Sequence, residues 1–359
     1  MTGDTSGGRN AADLAHLIGI ERPIVLGPFG GHSSVALAAA VSERGGLGSY
    51  GLYGYDAERI LETAVALRAA TRRPFAFNLW LPHDEATDVA EGEFDVYARA
   101  LQPFFDELGL ELPERPGRYL PDFDTQFAAV LETRPSVVSF VFGVPPADVV
   151  DAAHGRGIAV VATATTVDEA VALASGGVDA IVATGSEAGG HRVSFLLPAE
   201  ESLVGTFALV PQVADAVDVP VIAAGGIADR RGVAAAFALG AAGVQVGTAF
   251  LRTAQSAASE AHRRAITGAS AHGTVLTRAM SGRLARGIPN RAIREIERGG
   301  VIAPFPVQNW LTGRFRAEAG RRGIGELQSL WAGQAAPLAR HADADAVFDE
   351  LLRGVPARG

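Results

Sequence analysis

The stretch PVIAAGGIADRRGVAAAFALGAAGVQVGTAFL, residues 220–251, decides the fold that the sequence predicts. Two short apolar runs, 219–225 at its start and 243–248 within it, each end in a glycine-containing turn that leads into a helical stretch. A repeated strand, turn and helix is the parallel βαβ unit. Both runs are continuously apolar, as expected of strands that helices cover on both faces.

The same alternation of strand and helix extends upstream over most of the chain. Six further strands are predicted, at 24–27, 46–51, 74–80, 136–143, 158–164 and 179–185. Eight parallel strands with intervening helices are what a closed (β/α)8 barrel requires, so we expect an α/β TIM barrel. An open doubly wound sheet is the structural alternative.

Two segments do not follow this repeat. Residues 81–127 are proline-rich and charged, and they predict a helical insertion after the third strand. Beyond about residue 255 the chain becomes helical and arginine-rich, which predicts a region that covers the barrel mouth. We therefore expect a cofactor-binding barrel at 13–254, with the insertion at 81–127, and a C-terminal helical substrate-covering region at 255–354.

Composition and charge exclude several functional classes. Hydrophobic residues make up 48% and charged residues 20% of the 359 positions, which allows a substantial core. The net charge of −9 without a basic block argues against nucleic acid as a partner. Cysteine is absent, the histidines lack metal-ligand spacing and are expected to be mostly solvated, and no apolar run could span a membrane or serve as a signal core. We expect a cytoplasmic protein without a metal, with its oligomeric state open.

Glycines at the ends of the last two predicted strands indicate an anion site. Gly225 and Gly226 end one strand, and the segment QVGT at 245–248 ends the next. Bare backbone N–H groups and helix N-termini at these strand ends form the usual phosphate cradle of such barrels. The alternative is that the glycines only make tight turns.

A glycine-flanked histidine follows the sixth predicted strand. In GSEAGGHR, residues 185–192, Gly189 and Gly190 would let the backbone run close to a flat ligand, and His191 would project from the catalytic rim. Histidine titrates near neutral pH, so it suits proton transfer or hydrogen bonding to an anion. A structural role is the alternative for a lone loop histidine. Glu187 is expected to be a structural hydrogen-bonding partner.

Two other strand ends could contact a heterocycle. Asn78 ends the third predicted strand, where its amide suits a ring edge, although a strand-end cap is equally compatible. The turn GPFGG at 27–31 could place backbone against the same ring. By contrast, the GxGxxG match at 46–51 follows a helix and lacks the strand-turn-helix context of a dinucleotide site.

Together these motifs resemble the nitronate monooxygenase family, formerly called 2-nitropropane dioxygenases, whose relatives include flavin-dependent enoyl-ACP reductases. The matching stretches span residues 23–336 and include PIVLGPFGG, PFAFNLW, ATGSEAGGHR, TRAMSGRLARGIPN and LWAGQAA. The resemblance implies FMN as the cofactor and a small molecule and O2 as partners. The implied reaction is oxidation of a nitronate to a carbonyl compound and nitrite.

The resemblance also implies roles for individual residues. His191 matches the active-site histidine, which in the family assists with a nitro or nitronate group or abstracts its α-proton. The implied flavin contacts are Phe29, Gly30, Asn78, Thr184, Gly189, Gly190, Gly225, Gly226, Gln245, Val246, Gly247 and Thr248. The expected lining of the substrate pocket is Val141, Ser281, Phe305 and Asn309.

Several departures from the family pattern affect the substrate side. Thr184 stands where many members have glutamine, and Val141 stands where the closest subgroup has histidine. The stretch from Phe305 through Asn309 to Gly313 lacks two tyrosines and a lysine. Because each loss removes a polar or charged group, we expect a more apolar pocket and a larger or less charged substrate. The alternative functions are an NAD(P)H-dependent flavin reductase, of the enoyl-ACP or quinone reductase type, and a phosphate-binding barrel without redox activity.

Overall fold

The computed structural model describes residues 13–82 and 89–357. In chain order its strands are β1 (Ile24–Leu26), β2 (Gly48–Gly51), β3 (Phe75–Trp80), β4 (Val137–Val141), β5 (Ala159–Ala164), β6 (Ala180–Thr184), β7 (Gly190–His191), β8 (Val221–Ala224), β9 (Gly243–Val246), β10 (Val275–Thr277) and β11 (Ala285–Gly287). Every strand of the predicted eight is present, with ends within a few residues of the predicted ones.

Eight of these strands close into a barrel. Their order is β1-β9-β8-β6-β5-β4-β3-β2, and all neighbouring pairs are parallel. A parallel bridge between Val25 and Leu47 joins β1 to the segment before β2 and completes the ring. The predicted TIM barrel is therefore confirmed, and the open doubly wound sheet, which would leave two unpaired edges, is excluded.

Helices surround the barrel, as the βαβ pattern predicts. Those that follow the barrel strands are Val35–Glu43, Ala57–Ala70, Phe123–Thr133, Ala147–His154, Val167–Ser175, Thr206–Ala216, Arg230–Ala238 and Thr248–Leu251. Several begin at a residue whose side chain accepts a hydrogen bond from a backbone N–H of the first turn, and these caps include Ser34, Asp56, Asp122 and Thr166. Among the described residues no helix is both long and apolar enough to cross a bilayer.

The insertion after β3 contains the helices Glu91–Ala100 and Gln102–Leu108. The next helix, Phe123–Thr133, packs against Ala57–Ala70 and belongs to the barrel wall. The insertion therefore ends before residue 123, and the predicted boundary at 127 was too late.

A second apolar cluster joins the insertion to the C-terminal region. Beyond the barrel the helices are Glu260–Thr267, Arg291–Gly299, Val307–Arg321 and Ala344–Leu352. Phe104 and Phe105 of the insertion pack on Phe315, with ring centroids 5.1 and 5.9 Å apart. Phe348, in the last helix, packs instead with the barrel core. The insertion and the C-terminal region thus share one core over the barrel mouth.

The C-terminal region is not wholly helical, contrary to the prediction. β10 and β11 form an antiparallel hairpin, and β7 pairs with β11 so that His191 lies opposite Ala285. These strands are two or three residues long, which is too short for hydrophobic periodicity to reveal. The pairing fixes the backbone of His191 against the C-terminal region.

The glycines of the GxGxxG match serve strand and helix packing. A Cβ at Gly48 would lie 2.1 Å from the carbonyl oxygen of Ala38, and one at Gly46 would lie 2.6 Å from that of Ile24. Both positions exclude any larger residue, because the clashing atoms are backbone. This close packing accounts for the motif without a dinucleotide.

Candidate active site

The residues predicted to contact a cofactor lie at the carboxyl ends of barrel strands, on the rim that carries active sites in this fold. Phe29 and Gly30 follow β1, Asn78 lies in β3, Thr184 ends β6, Gly225 and Gly226 follow β8, and the segment 245–248 ends β9 and begins the next helix. The barrel thus brings together residues that are far apart in sequence. Their roles toward a cofactor remain predictions.

The turn after β8 has the backbone conformation that glycine favours. Gly225 has a φ of +98° and Gly226 a φ of +72°, both in the left-handed region. Within the described residues, the backbone N–H groups of Gly226 and Gly247 donate no hydrogen bond. Two neighbouring turns therefore offer unpaired N–H donors at one rim, which suits an anion.

The helix after this turn has a side-chain cap at its N-terminus. Asp229 caps the helix Arg230–Ala238 by accepting a hydrogen bond from the Arg231 backbone N–H at 2.9 Å. The Asp229 carboxylate also pairs with the Arg231 guanidinium, which lowers the pKa of Asp229. An anion at this rim would meet the N–H groups of the two turns, and the contribution of this helix N-terminus stays a prediction.

The segment WAGQA at 331–335 folds over the ends of β6 and β9. Its Gly333 N–H donates to the Thr248 hydroxyl at 2.9 Å. A Cβ on Gly189 would lie 2.6 Å from the Ala332 carbonyl carbon, whereas Gly190 has a φ of +81° and open space beside it. Gly189 therefore serves chain packing, and Gly190 is the glycine of this pair with room beside it.

Glu187 has the structural role expected of it. Its carboxylate accepts hydrogen bonds from the Thr206 backbone N–H at 2.8 Å and from the Thr206 hydroxyl at 2.9 Å. A Cβ on Gly185 would lie 2.0 Å from the same hydroxyl oxygen, so glycine is required there. These contacts hold the loop that leads to His191.

His191 is held between two indole rings. Its Nε2 lies 2.8 Å from the Ser281 hydroxyl oxygen, and its ring centroid lies 5.1 Å from that of Trp80 and 5.5 Å from that of Trp331. Burial, and then the positive charges of two nearby arginines, lowers the pKa of His191 to about 3. The imidazole is therefore neutral at physiological pH.

Aromatic side chains form the wall beside His191. The Trp80 ring lies 4.5 Å from Tyr53, 4.8 Å from Phe142 and 5.7 Å from Phe305, between centroids. The guanidinium of Arg283 lies 4.1 Å from the ring centres of both Phe142 and Phe305. Such a cation–π arrangement keeps a positive charge inside an otherwise apolar wall.

A second arginine, Arg316, is linked to the same aromatic wall through Asn309 and Tyr53. Arg316 donates to the side-chain and backbone oxygens of Asn309, at 2.7 and 3.0 Å, and to the Ser329 hydroxyl at 2.6 Å. Asn309 in turn donates to the Tyr53 hydroxyl oxygen at 2.8 Å. Burial raises the pKa of Tyr53 to about 12 and lowers that of Arg316 to about 10, so the phenol stays neutral and the guanidinium stays charged at physiological pH.

Two arginines bring positive charge close to His191. Arg283 and Arg316 lie close enough for their positive charges to lower the pKa of His191. These two arginines come from positions that were not singled out in the sequence, and the expectation of a more apolar pocket stays a prediction. No short motif links them to His191, because the three come from different segments.

The predicted pocket residues lie around this wall. Ser281 contacts His191, Phe305 contacts Trp80, and Asn309 joins Arg316 to Tyr53. Val141 belongs to a small apolar cluster with Phe142 and Val193, against which Trp80 packs. Asn78 donates to the Ser139 hydroxyl at 3.0 Å, so part of its amide is already engaged.

Most of the other described histidines are exposed, as expected, but near the site His262 is buried and His32 is only partly exposed. His262 is fully buried, and its Nε2 lies 2.9 Å from the Trp331 carbonyl oxygen. The His32 ring lies 5.1 Å from that of His262. Burial lowers the pKa of His32 to about 3 and that of His262 to about 4. In the part of the chain that the structure describes, no group of three metal-ligating side chains is present.

Comparison with known proteins shows the family of this chain. The family model for nitronate monooxygenase matches residues 12–354. A probable nitronate monooxygenase from Staphylococcus aureus (strain Newman) is 38% identical over 348 residues, which cover 96% of this chain and 98% of the relative.

Solved structures are also similar to this chain over nearly its whole length. Nitroalkane oxidase from Streptomyces ansochromogenes is 38% identical with a TM-score of 0.86, over 94% of this chain and 96% of its own. FabK from Thermotoga maritima is 29% identical with a TM-score of 0.74, over 95% and 94%. The chain spans nearly the whole length of each relative and shares its fold. It belongs to the nitronate monooxygenase family and is an oxidoreductase.

Proposed function

We propose that the protein binds FMN and uses O2 to oxidise a nitronate to a carbonyl compound and nitrite. The observation that carries this proposal is the neutral His191, fixed by Ser281 between two indoles and flanked by two guanidinium groups. This arrangement suits a small anion that must be held in an apolar, water-poor pocket.

The residues at the rim fit FMN. The unpaired N–H groups of Gly226 and Gly247 suit its phosphate, and the rim residues Phe29, Gly30, Asn78, Thr184, Gly190, Gln245 and Val246 remain the proposed contacts of the rest of the molecule. When bound, FMN supplies the electron acceptor that no side chain of this chain provides.

The charges of the pocket favour a substrate that arrives as an anion. A nitronate carries a negative charge on its oxygens, and Arg283 and Arg316 supply positive charge near His191. Charge-assisted hydrogen bonds in a buried site are stronger than neutral ones. The pocket therefore stabilises a nitronate more than the neutral nitroalkane.

The lowered pKa of His191 makes it a weak base. Abstraction of an α-proton works best when the base has a pKa near the working pH, which a pKa of about 3 does not provide. The Ser281 hydroxyl has one proton, which it can donate to the Arg283 carbonyl oxygen at 3.1 Å or to Nε2 of His191, and only in the second case does Nδ1 carry a ring proton for a nitronate oxygen. We infer that His191 binds and orients the nitronate and does not create it.

A flavin reductase that uses NAD(P)H is the second candidate, and the likeness to FabK favours it. The likeness to nitroalkane oxidase is greater in both sequence identity and TM-score. The nitronate reaction is therefore the first proposal.

Anaerobic reduction of the bound flavin separates the two candidates. The purified protein, loaded with FMN, would be mixed without O2 with ethyl nitronate and, in a separate sample, with NADPH. We expect the flavin absorbance to change with the nitronate and to persist with NADPH. Rapid bleaching by NADPH alone would assign the protein to the reductases, and a protein that cannot retain FMN would overturn the proposal.

A further inference from the structure

A cleft of about 450 Å³ lies between the insertion and the helix Val307–Arg321. Its walls include the apolar side chains of Leu110 and Leu120 and the ring of Trp310. The Tyr119 hydroxyl beside them is buried and has no hydrogen-bond partner. A volume of this size is typical of a site for an organic ligand.

The cleft is continuous with the wall of the active site. Tyr53, Asn309 and Arg316 line the cleft, and the same three residues form the hydrogen-bonded group beneath the aromatic wall. Tyr53 also contacts Trp80, which in turn contacts His191. One layer of side chains thus separates the cleft from His191, and a substituent of a ligand held at His191 would pass the Tyr53 ring to enter the cleft.

The two ends of the cleft differ in chemistry. The inner end is polar, because Asn309, Arg316 and the Tyr53 hydroxyl meet there. The walls contributed by the insertion are apolar and only partly exposed, whereas the facing helix also lines the cleft with Arg314, Glu318 and Arg321. A molecule with an anionic head and an apolar arm matches this gradient.

We propose that this cleft is a subsite for the apolar arm of the substrate, so that the preferred substrates are nitronates with an extended hydrocarbon substituent. The inference rests on the proposed function for the identity of the reacting head. The recognition of the arm depends only on the cleft. Each methylene buried there would raise kcat/KM by about twofold to fourfold until the cleft is full.

The helix that lines the cleft offers a matched pair of positions for a test. Gly313 lines the cleft, and the nearest atom to a Cβ placed there is Arg316 Nη2 at 3.6 Å. Gly320 lies on the same helix outside the cleft lining, and a Cβ there would meet no atom within 4 Å. Gly313→Leu should fill the cleft, whereas Gly320→Leu adds the same group to the helix elsewhere.

The experiment measures kcat/KM for primary alkyl nitronates from ethyl to octyl. We expect a steep rise with chain length in the wild type and in Gly320→Leu, and a flattened dependence in Gly313→Leu. An equal dependence in all three proteins, or no dependence in the wild type, would overturn the subsite. Ala317→Leu, at another position in the cleft lining, replaces Gly313→Leu if that variant does not fold.

Binding of inert carboxylates separates the subsite from the proposed reaction. Alkyl carboxylates of the same lengths carry a comparable anionic head and are not oxidised, so calorimetric Kd values do not depend on turnover. Tighter binding with length in the wild type but not in Gly313→Leu would support the subsite even if no nitronate reacts. Kd values that do not depend on length would refute it even if ethyl nitronate is a good substrate.

Discussion

The two halves of the candidate site are built in different ways. At the ends of β8 and β9 the site is made of backbone, in glycine turns whose N–H groups are unpaired. Opposite, the wall around His191 is made of side chains from β3, the loop after β4 and the C-terminal region. The first half follows from a local motif, and the second depends on how distant segments meet.

This difference explains which features could be predicted from the sequence. The glycine turns at 220–251 lie within one stretch of sequence, so this motif predicts an anion site, with plain tight turns as the alternative. An arginine on a C-terminal helix has many possible neighbours, and only the fold places Arg316 near His191. Substitutions in the side-chain half should therefore lower turnover, and substitutions in the backbone half should weaken cofactor retention.

The largest effect is expected for the side-chain half, at His191. His191→Asn should lower kcat/KM for ethyl nitronate by about a hundredfold or more, because the variant loses the ring that orients the anion. FMN retention should stay close to that of the wild type. His154→Asn, at an exposed histidine that pairs with Asp179, is the control. Wild-type turnover in His191→Asn would remove this residue from the mechanism.

The next effect tests whether positive charge in the wall holds the substrate. Arg316→Met should raise KM for ethyl nitronate by about tenfold or more, since a hydrogen bond to a charged group contributes about 1.5–3 kcal/mol. It should also raise the pKa of His191, because a nearby positive charge is lost. Arg316→Lys, which keeps the charge, should recover part of the loss, and Arg294→Met on an exposed helix face should change nothing. An unchanged KM in Arg316→Met would contradict the anion-binding role.

A change in the backbone half should act on the cofactor. Gly226→Ala places a Cβ at a φ of +72°, which costs about 1–2 kcal/mol and turns the N–H away from its present direction. FMN binding, followed by quenching of its fluorescence, should weaken by about tenfold. Gly300→Ala carries a similar strain at a φ of +68° beyond the barrel and serves as the control. If both variants bind FMN alike, the turn does not hold the phosphate.

The smallest effect concerns stability in acid, and it tests the burial of His262, which contacts the Trp331 backbone. The pKa of His262 is about 4 in the folded protein and about 6.5 when unfolded, so the unfolded chain binds more protons between these values. The free energy of unfolding should therefore fall as pH decreases from 6.5 to 4, by at most about 1.4 kcal/mol per pH unit for this residue. His262→Gln should show a shallower slope in urea unfolding at several pH values. An unchanged slope would mean that His262 is protonated in the folded protein.

The barrel could be predicted nearly in full. Continuous apolar runs at regular spacing predicted the eight strands to within a few residues. Strands that are covered on both faces are apolar at every position, which makes them easy to recognise. The hairpin of β10 and β11 could not be predicted, since its strands are too short to show periodicity.

The site could be predicted only in part. Motifs predicted His191, Ser281 and Gly226 as site residues; the structure places His191 in contact with Ser281, and the roles of all three stay predictions. Trp80, Arg283 and Arg316 were missed as pocket residues. A tryptophan at the end of β3 was a usable signal, because a large aromatic residue at a barrel rim has to pack against something. The two arginines offered no comparable signal.

Turnover of a nitronate in air without a nicotinamide tests the central claim most directly. The FMN-loaded protein would be supplied with ethyl nitronate, and O2 consumption and nitrite release would be followed together. We expect catalytic O2 consumption with nitrite formed in many turnovers, and no requirement for NADH or NADPH. Nitrite that appears only when a nicotinamide is added, or not at all, would contradict the proposed nitronate oxidation.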